Sequence, residues 1–280
     1  MPSTPSPVTD EDRLAALVLL QRYKLELDQV AADALGDEPT VSLDCDILVA
    51  TDAPGGASPS DLVARLGVPR STLARGISRL RRQGLLTRSV DTVDARRAVL
   101  RPTDDGATAI SRFRSTLDDW LRDSAPVVKE VTLLLGRDPE AATQASTPLS
   151  LGEVAQRIGT ASAGYGRDVA EVAARHGLVE TPDRYAVVHL ALRESRPSLI
   201  AEHLNLTPAG TTSLLDRLQT LGHVERLVGA IPTDRRAVLV RLTPVGRTAA
   251  AACVAAFRRH EDDLLDALAS TLRLAPAPVA

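Results

Sequence analysis

The feature that most constrains the fold of this chain is an internal repeat. Residues 60–88 and 198–226 align at an offset of 138 residues. The identities are Ser60, Leu66, Arg79, Leu80, Gly84 and Arg88 with Ser198, Leu204, Arg217, Leu218, Gly222 and Arg226. The offset then becomes 140, and the identities continue as Asp94, Arg96, Arg101, Thr103 and Gly106 with Asp234, Arg236, Arg241, Thr243 and Gly246. We therefore interpret the chain as a tandem duplication.

Each copy carries the sequence signals of a winged helix. A hydroxyl residue followed by proline, as in Ser58-Pro59 and Thr207-Pro208, starts a helix, because the proline lacks an N–H that would be unpaired there. The predicted helices are Pro59–Leu66 and Arg70–Gln83 in the first copy, and Pro197–Leu204 and Pro208–Leu221 in the second. Alternating apolar and basic residues then predict the return strands of two small hairpins, Arg97–Arg101 and Ala237–Leu242.

Apolar residues at helical spacing flank both copies. The four stripes are Leu17, Leu20, Leu27 and Val30; Ile110, Phe113, Leu117, Trp120 and Leu121; Val154, Ile158, Tyr165, Val169 and Val172; and Val254, Phe257, Leu264 and Leu268. The predicted fold class is mainly α with small β-wings: two winged helix-turn-helix domains joined by a helical, dimerisation-like hub with pseudo-two-fold symmetry. The predicted domains are a first repeat at 1–136 (core 58–103), a linker at 137–149, a second repeat at 150–274 (core 196–243) and a tail at 275–280.

Positive charge is concentrated in the two predicted cores. The chain has a net charge of −3, yet residues 58–103 hold ten Arg against three Asp, and residues 196–243 hold six Arg against four acids. The cores therefore carry +7 and +2, while the rest of the chain is acidic. This distribution is typical of a protein that binds a polyanion, and duplex DNA is the candidate because its major groove admits one helix.

The second helix of each copy is the predicted reader of DNA. In the first copy Leu73, Ile77 and Leu80 face the core, and the predicted DNA contacts on the outer face are Arg70, Ser71, Arg75 and Arg82. Arginine there can bind guanine in a bidentate way or hold a phosphate. In the second copy the outer residues are small and neutral, namely Pro208, Ala209, Thr212 and Ser213. The two copies should therefore not read the same sequence, although a solvated helix face is the alternative for the arginines.

Arginines at the wing tips are further predicted contacts. Arg96, Arg97, Arg235 and Arg236 lie between the predicted strands, where a hairpin tip can enter the minor groove. The alternative is an exposed turn closed by salt bridges. Arg79 and Arg217 remain open between a DNA contact and a structural salt bridge.

These motifs resemble the MarR family of bacterial winged-helix transcription regulators. The resemblance rests on Leu80/Leu218, Gly84/Gly222, the Asp-x-Arg of each wing and the closing Thr-x-x-Gly, with the second copy the closer match. The first copy departs from the pattern at Asp94-Ala95, which puts one wing contact in doubt, and at Pro102, which an edge strand tolerates.

The resemblance implies a function and an assembly. Family members are homodimers with interlocking terminal helices, so this chain resembles a fused dimer that acts as a monomeric pseudo-dimer on double-stranded DNA. The implied activity is a transcriptional regulator, and a repressor in particular, on an asymmetric operator. The resemblance also implies a pocket for a small aromatic or acidic effector.

Other functions lack a sequence signal. No phosphate-binding, dinucleotide, serine-hydrolase or zinc-protease motif is present, so we expect neither an enzyme nor a cofactor. The five histidines are scattered and the two cysteines, Cys45 and Cys253, lie far apart, so we expect no metal site and no redox role. No apolar run approaches the length of a membrane span and no signal peptide is visible, so we expect a cytoplasmic protein.

Two alternatives remain at this stage. Tandem winged helices also serve as structural or adaptor proteins that bind other proteins, and such a protein would have no affinity for duplex DNA. Alternatively, the second copy, with its weakly charged core, has lost DNA binding and acts only as a scaffold.

Overall fold

The computed structural model describes residues 7–35, 42–90, 98–144, 147–229 and 237–275, and this part of the chain is mainly helical with two small antiparallel sheets. Its helices are α1 (Asp10–Leu35), α2 (Ser42–Thr51), α3 (Pro59–Leu66), α4 (Arg70–Arg82), α5 (Asp104–Asp123), α6 (Ala125–Leu134), α7 (Pro139–Gln144), α8 (Leu151–Ala174), α9 (Thr181–Leu192), α10 (Pro197–Leu204), α11 (Pro208–Thr220) and α12 (Pro244–Ala269). Its strands are β1 (Leu86–Val90), β2 (Ala98–Pro102), β3 (Val224–Val228) and β4 (Val238–Leu242). The predicted class of mainly helical structure with small β-wings is confirmed.

The chain divides into two compact units. The smaller unit is Glu26–Leu121, and the larger unit is Met1–Leu25 together with Arg122–Ala280. These bounds differ from those of the predicted repeats, because the start of α1 packs within the larger unit, where Arg13 Nε donates to Glu261 Oε2 over 2.7 Å. The repeat boundaries describe a duplication of sequence and stay a prediction. The segment predicted as a linker contains the short helix α7, which its polar composition did not indicate.

The smaller unit contains a winged helix built from α2, α3, α4, β1, β2 and α5. A capping box starts α3, since the Ser58 side chain accepts from the Asp61 N–H and the Asp61 carboxylate accepts from the Ser58 N–H. Gly67 ends this helix at a φ of 64°, a conformation that favours glycine. Strand β1 pairs antiparallel with β2, and Leu86 lies opposite Pro102. Helix α4 ends one residue before the predicted Gln83, which caps it.

The larger unit contains a second winged helix with the same element order, α9, α10, α11, β3, β4 and α12. Asn205 ends α10 in the left-handed region at a φ of 51°, where Gly67 stands in the smaller unit. Thr207 caps α11 by accepting from the Gly210 N–H, and the helix ends at Thr220, one residue earlier than predicted. Strands β3 and β4 pair antiparallel, with Val224 opposite Leu242.

Matching contacts recur in the two winged helices. Ala57 forms an antiparallel bridge with Leu100, and Ser195 forms the same bridge with Val240. The hydroxyl of Thr103 donates to the Gly84 carbonyl over 2.6 Å, and the hydroxyl of Thr243 donates to the Gly222 carbonyl over the same distance. These pairs stand at the offsets of the sequence alignment, so the alignment predicts equivalent backbone positions.

The apolar stripes lie largely in the core. Ile110, Leu117 and Leu121 of α5 are buried, as are Val254, Phe257, Leu264 and Leu268 of α12. Within the larger unit α8 packs along α12, and the rings of Tyr165 and Phe257 meet edge to face at 5.9 Å. A single hub that joins all four stripes stays a prediction.

Candidate nucleic-acid interface

Helix α4 buries one face and exposes the other. Leu73, Gly76 and Leu80 are buried, whereas Arg70, Ser71, Ala74, Arg75 and Arg82 are exposed. The structure therefore places all four predicted contact residues of this helix on its solvent face. Their role in DNA binding is not tested by this placement and stays a prediction.

Gly76 permits a close approach between α4 and α2. A Cβ added at this position would lie 2.6 Å from Ile47 Cδ1 and 2.9 Å from Asp44 Oδ1. In the second winged helix, Leu214 stands at the corresponding position of α11 and is buried. Ala186 follows Asp183 by three residues, as Ile47 follows Asp44, and is also buried. In the first winged helix the larger residue of the two lies on α2 and the glycine on α4. In the second, the small residue lies on α9 and the larger one on α11.

Arg79 is held by a buried carboxylate. Its Nε and Nη2 atoms donate to the two oxygens of Asp44 over 2.5 and 2.7 Å, and Asp44 is fully buried. Arg217 makes the same pairing with buried Asp183, over 3.0 Å from Nε and 2.6 Å from Nη2. The hydrogen bonds that Arg217 donates to Asp183 raise the pKa of the guanidinium. For both arginines, which the sequence left open, the structure shows the salt bridge.

The exposed arginines of α4 are available to a ligand. Arg70, Arg75, Arg81 and Arg82 have no carboxylate partner within the described ranges, and Arg75 reaches only the Thr72 hydroxyl, at 3.4 Å. Arg81 was not among the predicted contacts. Arg81 follows Arg70 by eleven residues, which is about three helical turns, so the two arginines lie on the same side of α4. Its place in the run Arg79-Leu80-Arg81-Arg82 was the signal that could have identified it.

The matching surface of the second winged helix is nearly neutral. Pro208, Ala209, Thr212 and Ser213 are exposed on α11, as the sequence predicted. Its exposed acid, Asp216, pairs with Arg226 over 2.7 Å. This face therefore offers hydroxyl groups and apolar surface, and it lacks the guanidinium groups that α4 presents.

The base of each wing is anchored differently. In the first wing Arg101 donates to the Gly55 carbonyl over 3.0 Å. In the second, Arg241 Nε donates to Glu225 Oε1 across the hairpin over 2.7 Å, and this hydrogen bond raises the pKa of Arg241. The predicted tip contacts, Arg96, Arg97, Arg235 and Arg236, lie outside the described residues.

Groups with other chemistry do not form part of these surfaces. Cys45 and Cys253 are both buried, and burial raises the pKa of each thiol, that of Cys253 to about 11. No cluster of three or more metal-ligating side chains occurs within the described ranges. Among these residues no helix is long and apolar enough to cross a bilayer. The histidines are less scattered than the sequence indicated, because His189 and His203 stack against each other.

Comparisons with known proteins match part of the chain to a family model and to solved structures. Residues 40–97 match the sequence model of the MarR family. The PcaV transcriptional regulator from Streptomyces coelicolor, solved with its natural ligand, is 31% identical, with 39% of this chain and 77% of that chain covered and a TM-score of 0.33. The S. aureus MepR F27L mutant bound to an oligodeoxyribonucleotide is 22% identical, with coverages of 39% and 80% and a TM-score of 0.31. No curated protein gave a significant match.

Proposed function

We propose that this chain, whose first winged helix belongs to the MarR family, is a transcription regulator that binds double-stranded DNA in the cytoplasm. Members of this family are transcription regulators and not enzymes, in agreement with the expectation that the chain has no catalytic role. One observation carries the proposal for this molecule: α4 exposes four arginines that no described carboxylate neutralises. Guanidinium groups on an exposed helix suit both phosphate and guanine contacts.

The finer proposal is a repressor that acts as a fused pseudo-dimer. The internal repeat and the matching Asp–Arg pairs, strand bridges and threonine contacts support a shared origin of the two winged helices. One chain would then place α4 and α11 in successive major grooves about 10 bp apart. Because α4 is basic and α11 is neutral, the operator is asymmetric, and the half-site under α4 is the more specific and the more sensitive to salt.

The control of this activity is a further part of the proposal. The PcaV structure contains that regulator's natural ligand. The family resemblance extends the same expectation to this chain, and we propose a small aromatic or acidic molecule as its effector. Release of DNA when such a compound is added would support this point, and a screen in which aromatic acids leave DNA affinity unchanged would oppose it.

The test is a binding titration at several salt concentrations. The chain is titrated on the DNA upstream of its own gene and on a scrambled duplex of the same composition. A preference of about 10³-fold or more for the native duplex, with log K falling steeply in log salt, supports sequence reading through arginine–phosphate contacts. Absence of binding to both duplexes and to any member of a random-sequence library contradicts the proposal.

An adaptor that binds proteins is the second candidate. The neutral face of α11 favours it for the second winged helix alone, since this face has few groups that hold phosphate. If both winged helices serve as adaptors, neither the wild type nor Arg75→Ala binds duplex DNA. Under the main proposal the wild type binds duplex DNA and Arg75→Ala weakens that binding.

A further inference from the structure

The larger unit contains a histidine cluster, which we define as buried His189, Ser195 and Gln21 together with half-buried His203. The rings of His189 on α9 and His203 on α10 stack with their centroids 4.4 Å apart and their planes inclined by 28°. His189 is 1% exposed, and its Nε2 lies 2.9 Å from Ser195 Oγ. His203 Nε2 lies 3.3 Å from Oε1 of Gln21, a buried residue of α1. The cluster therefore connects α1, α9 and α10.

The cluster is specific to the second winged helix. His189 follows Asp183 by six residues, and Ala50 follows Asp44 by six in the smaller unit. The positions that correspond to Ser195 and His203 are Ala57 and Arg65. The first copy thus has neither imidazole, so the cluster is not needed to build a winged helix of this type.

The surroundings of the two rings oppose a positive charge. Arg193, just after α9, faces both rings, and Arg22 of α1 faces His203. Burial, with these cations and the neighbouring ring, lowers the pKa of His189 to about 4 and also lowers that of His203. Glu194, next to Arg193 in the chain, interacts electrostatically with Arg241. His189 Nδ1 has no hydrogen-bond partner among the described residues, so no acceptor there holds a second proton.

We propose that the histidine cluster is a pH-sensitive contact that holds α10 against α1 at neutral pH and releases it when the solution is acidified. Protonation would place two positive rings in stacking contact beside Arg193, which favours an open arrangement in which both rings reach water. A histidine whose pKa is lower in the closed state than in the open state favours the closed state most strongly above pH 6.5. This stabilisation of the closed state is lost as the pH falls towards 4.

The contact also lies next to the parts of the second winged helix that would approach DNA. Ser195 pairs with Val240 of β4 through two backbone hydrogen bonds of 3.1 and 2.9 Å, and α10 begins two residues later. Opening of the cluster would therefore loosen both the base of the wing and the first helix of the helix-turn-helix. An effect on DNA rests on the proposed function, whereas the opening itself does not.

Hydrogen exchange of the α10 amides in the DNA-free, full-length chain tests the inference. When the pH is lowered from 7.5 to 5.0, the opening constant of α10, corrected for intrinsic exchange, should rise by about 30-fold. The reason is that the open state binds a proton in this range and the closed state does not. His189→Gln with His203→Gln should remove most of this rise. His176→Gln, a half-buried histidine of the same unit outside the cluster, is the control and should keep it.

Two further readouts keep the inference falsifiable. NMR titration should show the rings of His189 and His203 protonating below the ordinary pKa of a histidine. His203→Gln alone should weaken the pH response if the double variant does not fold. Titration of both rings near 6.5 in the folded chain, or an equal pH response in the wild type and the folded variants, would overturn the inference. Failure of the wild-type chain to bind any duplex DNA at pH 7.5 would instead contradict the proposed function.

Discussion

Arg79 of α4 and Asp44 of α2 form a two-point ion pair in which the carboxylate is fully buried and the guanidinium is about one-quarter exposed. Arg217 and Asp183 repeat this relationship between α11 and α9. In each case an arginine of the second helix of the helix-turn-helix binds a buried carboxylate of a core helix, and the Arg217 side chain stays 42% exposed in doing so. The pair thereby orients the helix without consuming its exposed face.

Removal of the buried carboxylate should loosen the smaller unit. Asp44→Asn removes the fully buried carboxylate that Arg79 binds at two points, and we expect a loss of about 2–3 kcal/mol in the free energy of unfolding. Urea denaturation followed by circular dichroism measures it. The control is Asp52→Asn, because Asp52 pairs with the half-exposed Arg114 and its loss should cost under about 1 kcal/mol. Equal effects of the two substitutions would show that the buried pair has no special role.

A methyl group at Gly76 should disturb the contact between α2 and α4. Gly76→Ala places a Cβ against Ile47 and Asp44, so we expect destabilisation even though alanine is the better helix former. Gly159→Ala on α8 meets no atom within 4 Å and should stabilise the chain by about 0.5–1 kcal/mol. Thermal unfolding of both variants gives the comparison. Stabilisation by both alanines would contradict the packing argument.

The two reading helices should contribute unequally to DNA affinity. Arg75→Ala removes an exposed cation and should cost about 1–3 kcal/mol of binding free energy, with a shallower salt dependence. Ser213→Ala, at the matching position of α11, should cost much less. Fluorescence anisotropy with one duplex at three salt concentrations measures the DNA affinity of both variants. Equal losses of affinity would contradict the asymmetry between the two helices.

Neither cysteine should react in the folded chain. Cys45 and Cys253 are buried, and their raised pKa values keep both sulfur atoms in the unreactive thiol form. At pH 8 a colorimetric disulfide reagent should titrate no thiol until a denaturant is added, and then two. Rapid modification of one thiol in the native chain would contradict this prediction and would indicate that the cysteine can sense oxidants.

The sequence was most informative where one local signal decides a structure. Hydroxyl–proline pairs gave the starts of α3 and α11, and the aligned glycines 84 and 222 followed the ends of α4 and α11. The exposed face of α4 followed from helical periodicity, since Leu73 and Leu80 could only point inward. Each of these inferences needs no knowledge of a distant partner.

Contacts between distant segments could not be read in the same way. The pairing of Asp44 with Arg79 spans 35 residues, and nothing in either helix distinguishes that arginine from Arg75 or Arg82 before α2 is placed against α4. The stacking of His189 on His203 and the packing of the start of α1 within the larger unit depend likewise on tertiary geometry. Composition alone also missed α7.

The central claim is that one chain reads DNA with two unequal winged helices, and hydroxyl-radical footprinting at known stoichiometry tests it most directly. The operator is the upstream DNA or a duplex selected from a random library, and native mass spectrometry counts the chains bound. We predict one chain per duplex and two protected tracts about one helical turn apart, of which Arg75→Ala weakens only one. Two chains per duplex, or a single protected tract from one chain, would contradict the account.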